Sequence, residues 1–330
     1  MAYSVIGARD LDALTRDPRK AEAYRLDPYM REALHALAPA RESGVPDRGV
    51  PDRGVLDRHT FVVLKPDAVA GRRCELILGI LRSEGWHPVA ATTVRFDPLL
   101  VRELWRYQFN AASAQRIAVV DPLLSSGRSL LVLLEDRERP EWLPASVRLT
   151  AAKGSAEPSA ARSGDLRTRI GRVNGLFNFM HTADEPADVA RELQLFSYQT
   201  GWDWCAGPLL GSTEHATADP WRTVTALLAE LAAEIPAHDL DVTAALARLA
   251  ALPGPWGDLA RDRPEPARID EWLGVLRRAP LPPGGARWDV LTVLTSWIDC
   301  NEKGVLPVIA TGTADAWRTT GDTTREVTYA

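Results

Sequence analysis

Two short stretches carry side chains suited to phosphoryl chemistry. In NFMHTADE, running from Asn178 to Glu185, His181 closes a short apolar segment ahead of a helix-like stretch. In VVLKPDAV, Lys65 closes a β-rich run and is followed at once by Pro66 and Asp67. An imidazole with a pKa near ~6.5 is largely neutral at pH 7 and attacks phosphorus without a separate base. An ammonium at a strand end, on a turn stiffened by proline, meets a terminal phosphate as a point charge. Taken singly, each residue has a plainer reading: a solvated strand-end lysine and a structurally satisfied histidine.

Other phosphate-handling devices are missing. AAKGSAEPS holds a Lys-Gly-Ser without the earlier glycine of a P-loop, and neither a dinucleotide-binding glycine pattern nor a protein-kinase motif set occurs. Cys74, Cys205 and Cys300 lie far apart and make neither a zinc spacing nor an even disulfide framework, as suits a reducing cytosol. A formal net charge of −5 gives no overall field for a nucleic-acid backbone or an anionic membrane. Any phosphate must be met by local cations. The N-terminus lacks the continuous apolar core of a signal peptide and no stretch is long enough to span a bilayer, so a cytoplasmic protein is expected.

The elements that must position Lys65 and His181 follow from periodicity. TFVVLK reads as a strand, CELILGILRSEG as a helix ending in glycine, and WHPVAATTVRF as a second strand. DPLLVRELWRYQF reads as a helix capped by Asp97 with Pro98 in its first turn. RSLLVLLED is a third strand buried on both faces, NGLFNFM a candidate fourth, and EPADVARELQLF a helix opened by Pro186. This order predicts an α/β sandwich with helices against one sheet.

Upstream, Leu26, Met30, Leu34 and Leu37 stand at helical spacing, and the tandem VPDRGVPDRG from Val45 to Gly54 reads as a turn-rich linker. Beyond Tyr198 the chain turns helical. DPWRTVTALLAELAAEI, DVTAALARLAAL, ARIDEWLGVLRR and RWDVLTVLTSWIDC are separated by PGPWG and PLPPGG, and eight of the eleven tryptophans lie from Trp202 onward, most simply as core anchors. The expected organisation is an N-terminal helical arm (1–44), a Pro/Gly linker (45–58), an α/β domain (59–198) and a helical Trp-rich domain (199–330).

From about His59 to Phe196 the chain resembles the nucleoside diphosphate kinase family. RHTFVVLKPDAVAGRRCELILGILRSEGWHPVAA is similar to that family's opening strand, Lys-Pro-Asp turn, first helix and second strand, SSGRSLLVLLED to its central strand, and NFMHTAD to its Asn-x-x-His active-site segment. The resemblance implies a ferredoxin-like βαββαβ core and a ping-pong transfer: His181 takes the γ-phosphate of a nucleoside triphosphate and passes it on, with Mg²⁺ accompanying the triphosphate. Lys65 is then a phosphate contact, Asn178 a ribose or phosphate contact, and Tyr107 the phenol near the lysine. A nucleotide, a small-molecule acceptor and further copies of the chain are the implied partners; no membrane or nucleic acid is expected.

The sequence departs from the family pattern around the phosphates. Arg148 and Arg162 fall nearest to its phosphate arginines. Its Glu-Thr-Asn-Pro segment is replaced by AAKG, so Ala152 cannot make the threonine's hydrogen bond and Lys153 offers charge instead. Between Asp165 and His181 the chain is longer, and Arg167, Arg169 and Arg172 in the added loop are candidates to rebuild a cationic lining. Thr182-Ala183 replaces Gly-Ser, Asp184 and Glu185 read as helix caps, and the acid that orients the imidazole falls on Arg191, with Glu192 beside it. Each lost transition-state contact costs ~2 to 4 kcal/mol. That favours a divergent phosphotransferase with a nucleotide or specialised small-molecule acceptor; an inactive nucleotide-binding or interaction module on the same fold is the alternative.

Overall fold

The computed structural model describes residues 11–37, 53–210 and 219–318. Its centre is an antiparallel sheet of β1 (His59–Leu64), β2 (Trp86–Arg95), β3 (Arg128–Asp136) and β4 (Met180–Thr182) in the order β2-β3-β1-β4. The first and last strands therefore lie side by side, an order consistent with the expected ferredoxin-like core. β1 is buried along its whole length, as its unbroken apolar run requires of a strand covered on both faces. β2 carries a register shift between Pro88 and Ala90, where a proline removes a ladder donor.

Helices cover both faces. On one, Val62, Leu64, Val132 and Leu134 share a core with Ile77 and Leu81 and with Val224, Leu231, Trp288 and Leu294 from beyond residue 219. On the other, Phe61, Val63, Leu131 and Leu133 pack with Val189, Leu193 and Phe196 and with Leu11, Met30 and Leu34. The C-terminal helices, Pro220–Glu234, Val242–Ala250, Pro255–Arg261, Ile269–Leu276 and Gly285–Trp297, thus share a hydrophobic core with the sheet. Asp97, Asp219 and Asp241 each cap a following helix by accepting a backbone N–H. Trp256, Trp272, Trp288 and Trp317 are buried. No described helix is long and apolar enough to cross a membrane.

Three local expectations change. The N-terminal pattern forms two helices, Pro18–Leu26 and Pro28–Leu37, because Pro28 disfavours helical backbone at Asp27; Leu26 ends the first and is exposed. Residues 53–58, read as linker, form a short helix with Leu56 buried, while the rest of the tandem repeat lies outside the described residues. The fourth strand is confined to Met180–Thr182, because Asn174 Oδ1 accepts the N–H groups of Leu176 and Phe177 and holds that stretch in a turn.

Candidate active site

The two chemistry-bearing motifs meet through the backbone. β1 and β4 pair Val63 with His181 and Leu64 with Met180, so Lys65 begins two residues beyond the histidine's partner. The Lys65 N–H donates to the Phe179 carbonyl (3.0 Å), and the Phe179 N–H donates to Asp67 Oδ2 (3.0 Å). Met180 N–H donates to the Asn178 carbonyl across Phe179, whose φ is 72°. That i to i+2 bond with positive φ describes a γ-turn, a strained conformation for a residue with a side chain, costing of order 1–3 kcal/mol. Pro66 starts the helix Pro66–Ala70 and fixes the turn that presents Asp67 to Phe179. The strain immediately precedes His181 in the chain and is held by the Lys-Pro-Asp turn.

His181 is nearly enclosed. Its Nε2 lies 2.6 Å from Glu192 Oε2, and its ring stands edge-on to Trp105 at 5.1 Å and tilted to Phe61 at 6.1 Å. Glu192 is acceptor-only when ionised, so the 2.6 Å contact places the proton on Nε2 and leaves the Nδ1 lone pair available. Among the described residues Nδ1 has no hydrogen-bond partner. Glu192 itself comes from the helix Pro186–Thr200, opened by a capping box between Glu185 and Asp188. The N-cap Glu185 and the helix residues Asp188, Arg191 and Glu192 are all buried.

The N-terminal helices balance that buried charge. Lys20 Nζ lies 2.6 Å from Asp188 and 2.8 Å from Glu185, and together these acids outweigh the burial that would otherwise discharge the lysine, raising its pKa. Asp27 Oδ2 accepts Arg191 Nε at 2.8 Å, with both side chains buried. Arg191, at the simple position of the family's orienting acid, is committed to Asp27, and the neighbouring Glu192 contacts the imidazole. The helical turn swings successive residues by 100°, so neighbours in sequence face different partners.

Cations gather beside the turn. Burial pushes Lys65 down to about 8, more than Asp67 at 3.5 Å offsets; its Nζ donates to the Leu176 carbonyl at 2.7 Å. Burial likewise lowers Arg167 to about 10 and raises Asp67. Arg167 donates to the carbonyls of Gly154 and Met180, and its buried Nε has no partner. Burial also lowers Lys153, which donates to Thr182 Oγ1 at 2.7 Å and pairs with Asp184 at 3.4 Å. Burial opposes ionisation of Asp184, but Lys153, Lys20, His181 and a bond from Thr150 hold its carboxyl below the usual range. Asp184 thus reads the charge of the site and does not cap the following helix, whose N-cap is Glu185.

Of the residues expected at the site, the fold unites the Lys65 and His181 backbones and redirects several side chains. Tyr107 donates to Asp27 Oδ2 at 3.0 Å and lies under Arg191, in the network behind the imidazole. Asn178 folds back to donate to the Gly175 carbonyl at 2.6 Å. Arg148 makes a two-pronged pair with Asp136 and stacks on Trp86 at 4.4 Å. Since Leu64 pairs with Leu130 and His59 with Glu135, Asp136 marks the end of the β1–β3 ladder away from Lys65, and Arg148 stays there. Arg162 is exposed on the loop before Leu166. Of the loop arginines, Arg167 turns inward, Arg169 pairs with Glu84, and Arg172 donates to the Ser155 carbonyl.

Trp105 and the N-terminal Lys20 and Asp27 escaped the sequence reading, in which Glu192 is only the neighbour of the orienting position and Arg167 only one of three loop arginines. Glu185, Asp188 and Glu192 recur at three- and four-residue steps, an acidic stripe on one helix face that points to a buried cationic partner. Nothing local marks Trp105, Lys20 or Asp27.

Residues 58–200 match the family model described as nucleoside diphosphate kinase. No curated protein matches the chain. Among solved structures it is similar to the nucleoside diphosphate kinase of Aquifex aeolicus, at 22% identity over 42% of this chain and 94% of that one, with a TM-score of 0.35. It is similar also to that of Encephalitozoon cuniculi, at 21% identity over 42% of this chain and 88% of that one, with a TM-score of 0.36.

Proposed function

Starting from a chain whose residues 58–200 form a nucleoside diphosphate kinase-like domain, we propose that the protein is a divergent phosphotransferase that moves the γ-phosphate of a nucleoside triphosphate through His181 to a nucleotide or a specialised small-molecule acceptor. The observation that carries this reading is the 2.6 Å contact of His181 Nε2 with Glu192, which leaves Nδ1 as the nucleophilic nitrogen. In the first half-reaction the Nδ1 lone pair forms a bond to the γ-phosphorus as the bond from phosphorus to the β-bridging oxygen breaks and the diphosphate leaves. The ring then carries positive charge, which Glu192 stabilises through the Nε2–H. In the second, an acceptor oxygen attacks phosphorus, the N–P bond breaks, and the neutral imidazole returns. Lys65 and Arg167 are candidate positive charges for the transferring group.

The described residues include no group of three or more His, Cys, Asp or Glu able to hold a metal ion, and the buried Asp67 and Asp184 are each engaged by a lysine. Magnesium therefore finds no ligand cluster among the described residues; on this reading it travels with the triphosphate, and no step here is assigned to it.

Incubation with γ-³²P-labelled ATP tests the reading: acid-labile, base-stable label should appear on the protein and be absent from His181→Ala. A second reading, nucleotide binding without transfer, is favoured by the inward turn of Lys65 Nζ and Asn178 Nδ2, both already donating to backbone carbonyls. Nucleotide binding with no acid-labile label on the wild-type protein would select it.

A further inference from the structure

Two segments flank the site. One runs from Trp105, which packs on His181, to Arg116, whose charge acts on Lys65. The other is the loop before β4, which supplies the Leu176 carbonyl to Lys65 and contains Glu157 and Gly175. The chain leaving the helix Gly285–Trp297 crosses from one to the other. Ser113 donates its N–H to the Cys300 carbonyl (3.2 Å) and its hydroxyl to the Asp299 carbonyl, Gln115 Oε1 accepts the Asp299 N–H (2.9 Å), and the Glu302 N–H donates to the Ala111 carbonyl (2.9 Å). Asn301 spans the gap: its Oδ1 accepts Arg116 Nη1 at 3.1 Å, and its Nδ2 donates to Glu157 at 3.3 Å. Cys300 lies against Gly175, with Sγ 3.0 Å from where a β-carbon would stand. Further on, Asn110 holds the Leu306 carbonyl and the Val308 N–H, Ile309 is buried, and Trp317 donates to Glu185.

We propose that residues 299–309 form a strap over the Lys65 side of the site that must release before a nucleotide enters, with Asn301 Oδ1 standing where an anionic oxygen would otherwise meet Arg116. This rests on the phosphotransferase reading of the site. Three features support it. Arg116 is half-buried, its buried Nε has no partner, and its guanidinium bonds a neutral amide oxygen of Asn301. Between Cys300 and Ile309, which pack against the cores at either end, the crossing is made by hydrogen bonds at exposed positions. Val305, Leu306 and Val308 stay exposed between the anchored Asn301 and Ile309, leaving the middle of the strap without a packed face. Such a segment opens at lower cost than the core beneath it.

Gly175→Cys tests this directly, since a β-carbon at 175 falls 3.9 Å from that of Cys300, within the roughly 3.5–4.5 Å of a disulfide. The oxidised variant, its bond confirmed by mass, should bind a fluorescent methylanthraniloyl-ADP at least about tenfold more weakly than the same protein after reduction, because locking removes the competent fraction. Equal affinity in the two redox states overturns the strap while leaving the nucleotide reading intact. Asn301→Ala, which loosens the crossing without a new bond, should bind the probe more tightly than wild type, and equal or weaker binding counts against the strap even if the cysteine variant misfolds. If no form binds the probe, the nucleotide reading fails and the strap falls with it.

Discussion

Two histidine–carboxylate pairs in this molecule look alike by distance and differ in what remains free. His181 Nε2 lies 2.6 Å from Glu192, and His238 Nε2 lies 2.8 Å from Asp289. At His238 the second nitrogen is also engaged: Nδ1 accepts the Leu240 N–H at 2.9 Å, while Asp289 is shared with Arg248, which grips Asp239 through two further bonds. The network lines a cavity of about 390 Å³, yet every ring position has a partner. His181 has its carboxylate on one side and aromatic walls around it, with Nδ1 unclaimed among the described residues. A carboxylate beside an imidazole is thus insufficient to mark a nucleophile; the state of the other nitrogen separates a positioning bond from a structural clasp.

The largest effect that this contrast implies is on phosphoryl labelling. His181→Ala should lower acid-labile label by at least about a thousandfold, to background, whereas His238→Ala should keep it per folded molecule. Loss of label in a folded His238→Ala would erase the distinction. Glu192→Gln comes next: the amide oxygen still accepts from Nε2, but the charge facing the ring is gone, and the labelling rate should drop about a hundredfold with little change in nucleotide affinity. A matching loss of affinity would make Glu192 a binding group instead.

Asp289→Asn should act on the fold and spare the chemistry, costing about 1–3 kcal/mol in urea denaturation because a buried acceptor of His238 and Arg248 is weakened. Unchanged stability would show that the clasp is not structural. The smallest effect concerns pH. With Lys65 at about 8, its ammonium is mostly charged at pH 7 and mostly neutral at pH 9, so labelling should fall about tenfold between them. A flat profile over that span removes the Lys65 charge from the reaction. Its contribution to folding has the opposite sign: the folded value lies below the ordinary 10.5, so the unfolded chain holds the extra proton in between, and stability rises as pH climbs from about 8 toward 10.5.

Motifs and periodicity carried the reading as far as the backbone. The strand before Lys65 and the cap at Asp97 were legible because each depends on residues close in sequence or on a strong apolar pattern, whereas the meeting of the Lys-Pro-Asp turn with the Asn178–His181 segment is expected only from the family resemblance. Side-chain direction was harder. Arg148 lies near a phosphate arginine of the family pattern, yet Asp136 holds it at the far end of the sheet; Tyr107 is drawn to Asp27, a residue from the N-terminal helices.

What the sequence by itself determined is the chemistry available: an imidazole after a strand-forming run, an ammonium before a proline-stiffened turn, and too little overall charge to bind phosphate except through local cations. Only the tertiary structure decided that Glu192 and not Arg191 faces that imidazole, and that Asn301 bridges Arg116 and Glu157. The reason is physical. Periodicity fixes which residues share a face, but the partner of a buried charge comes from wherever the fold brings a complementary group, and for Arg191 and Asp188 those groups lie in helices at the other end of the chain.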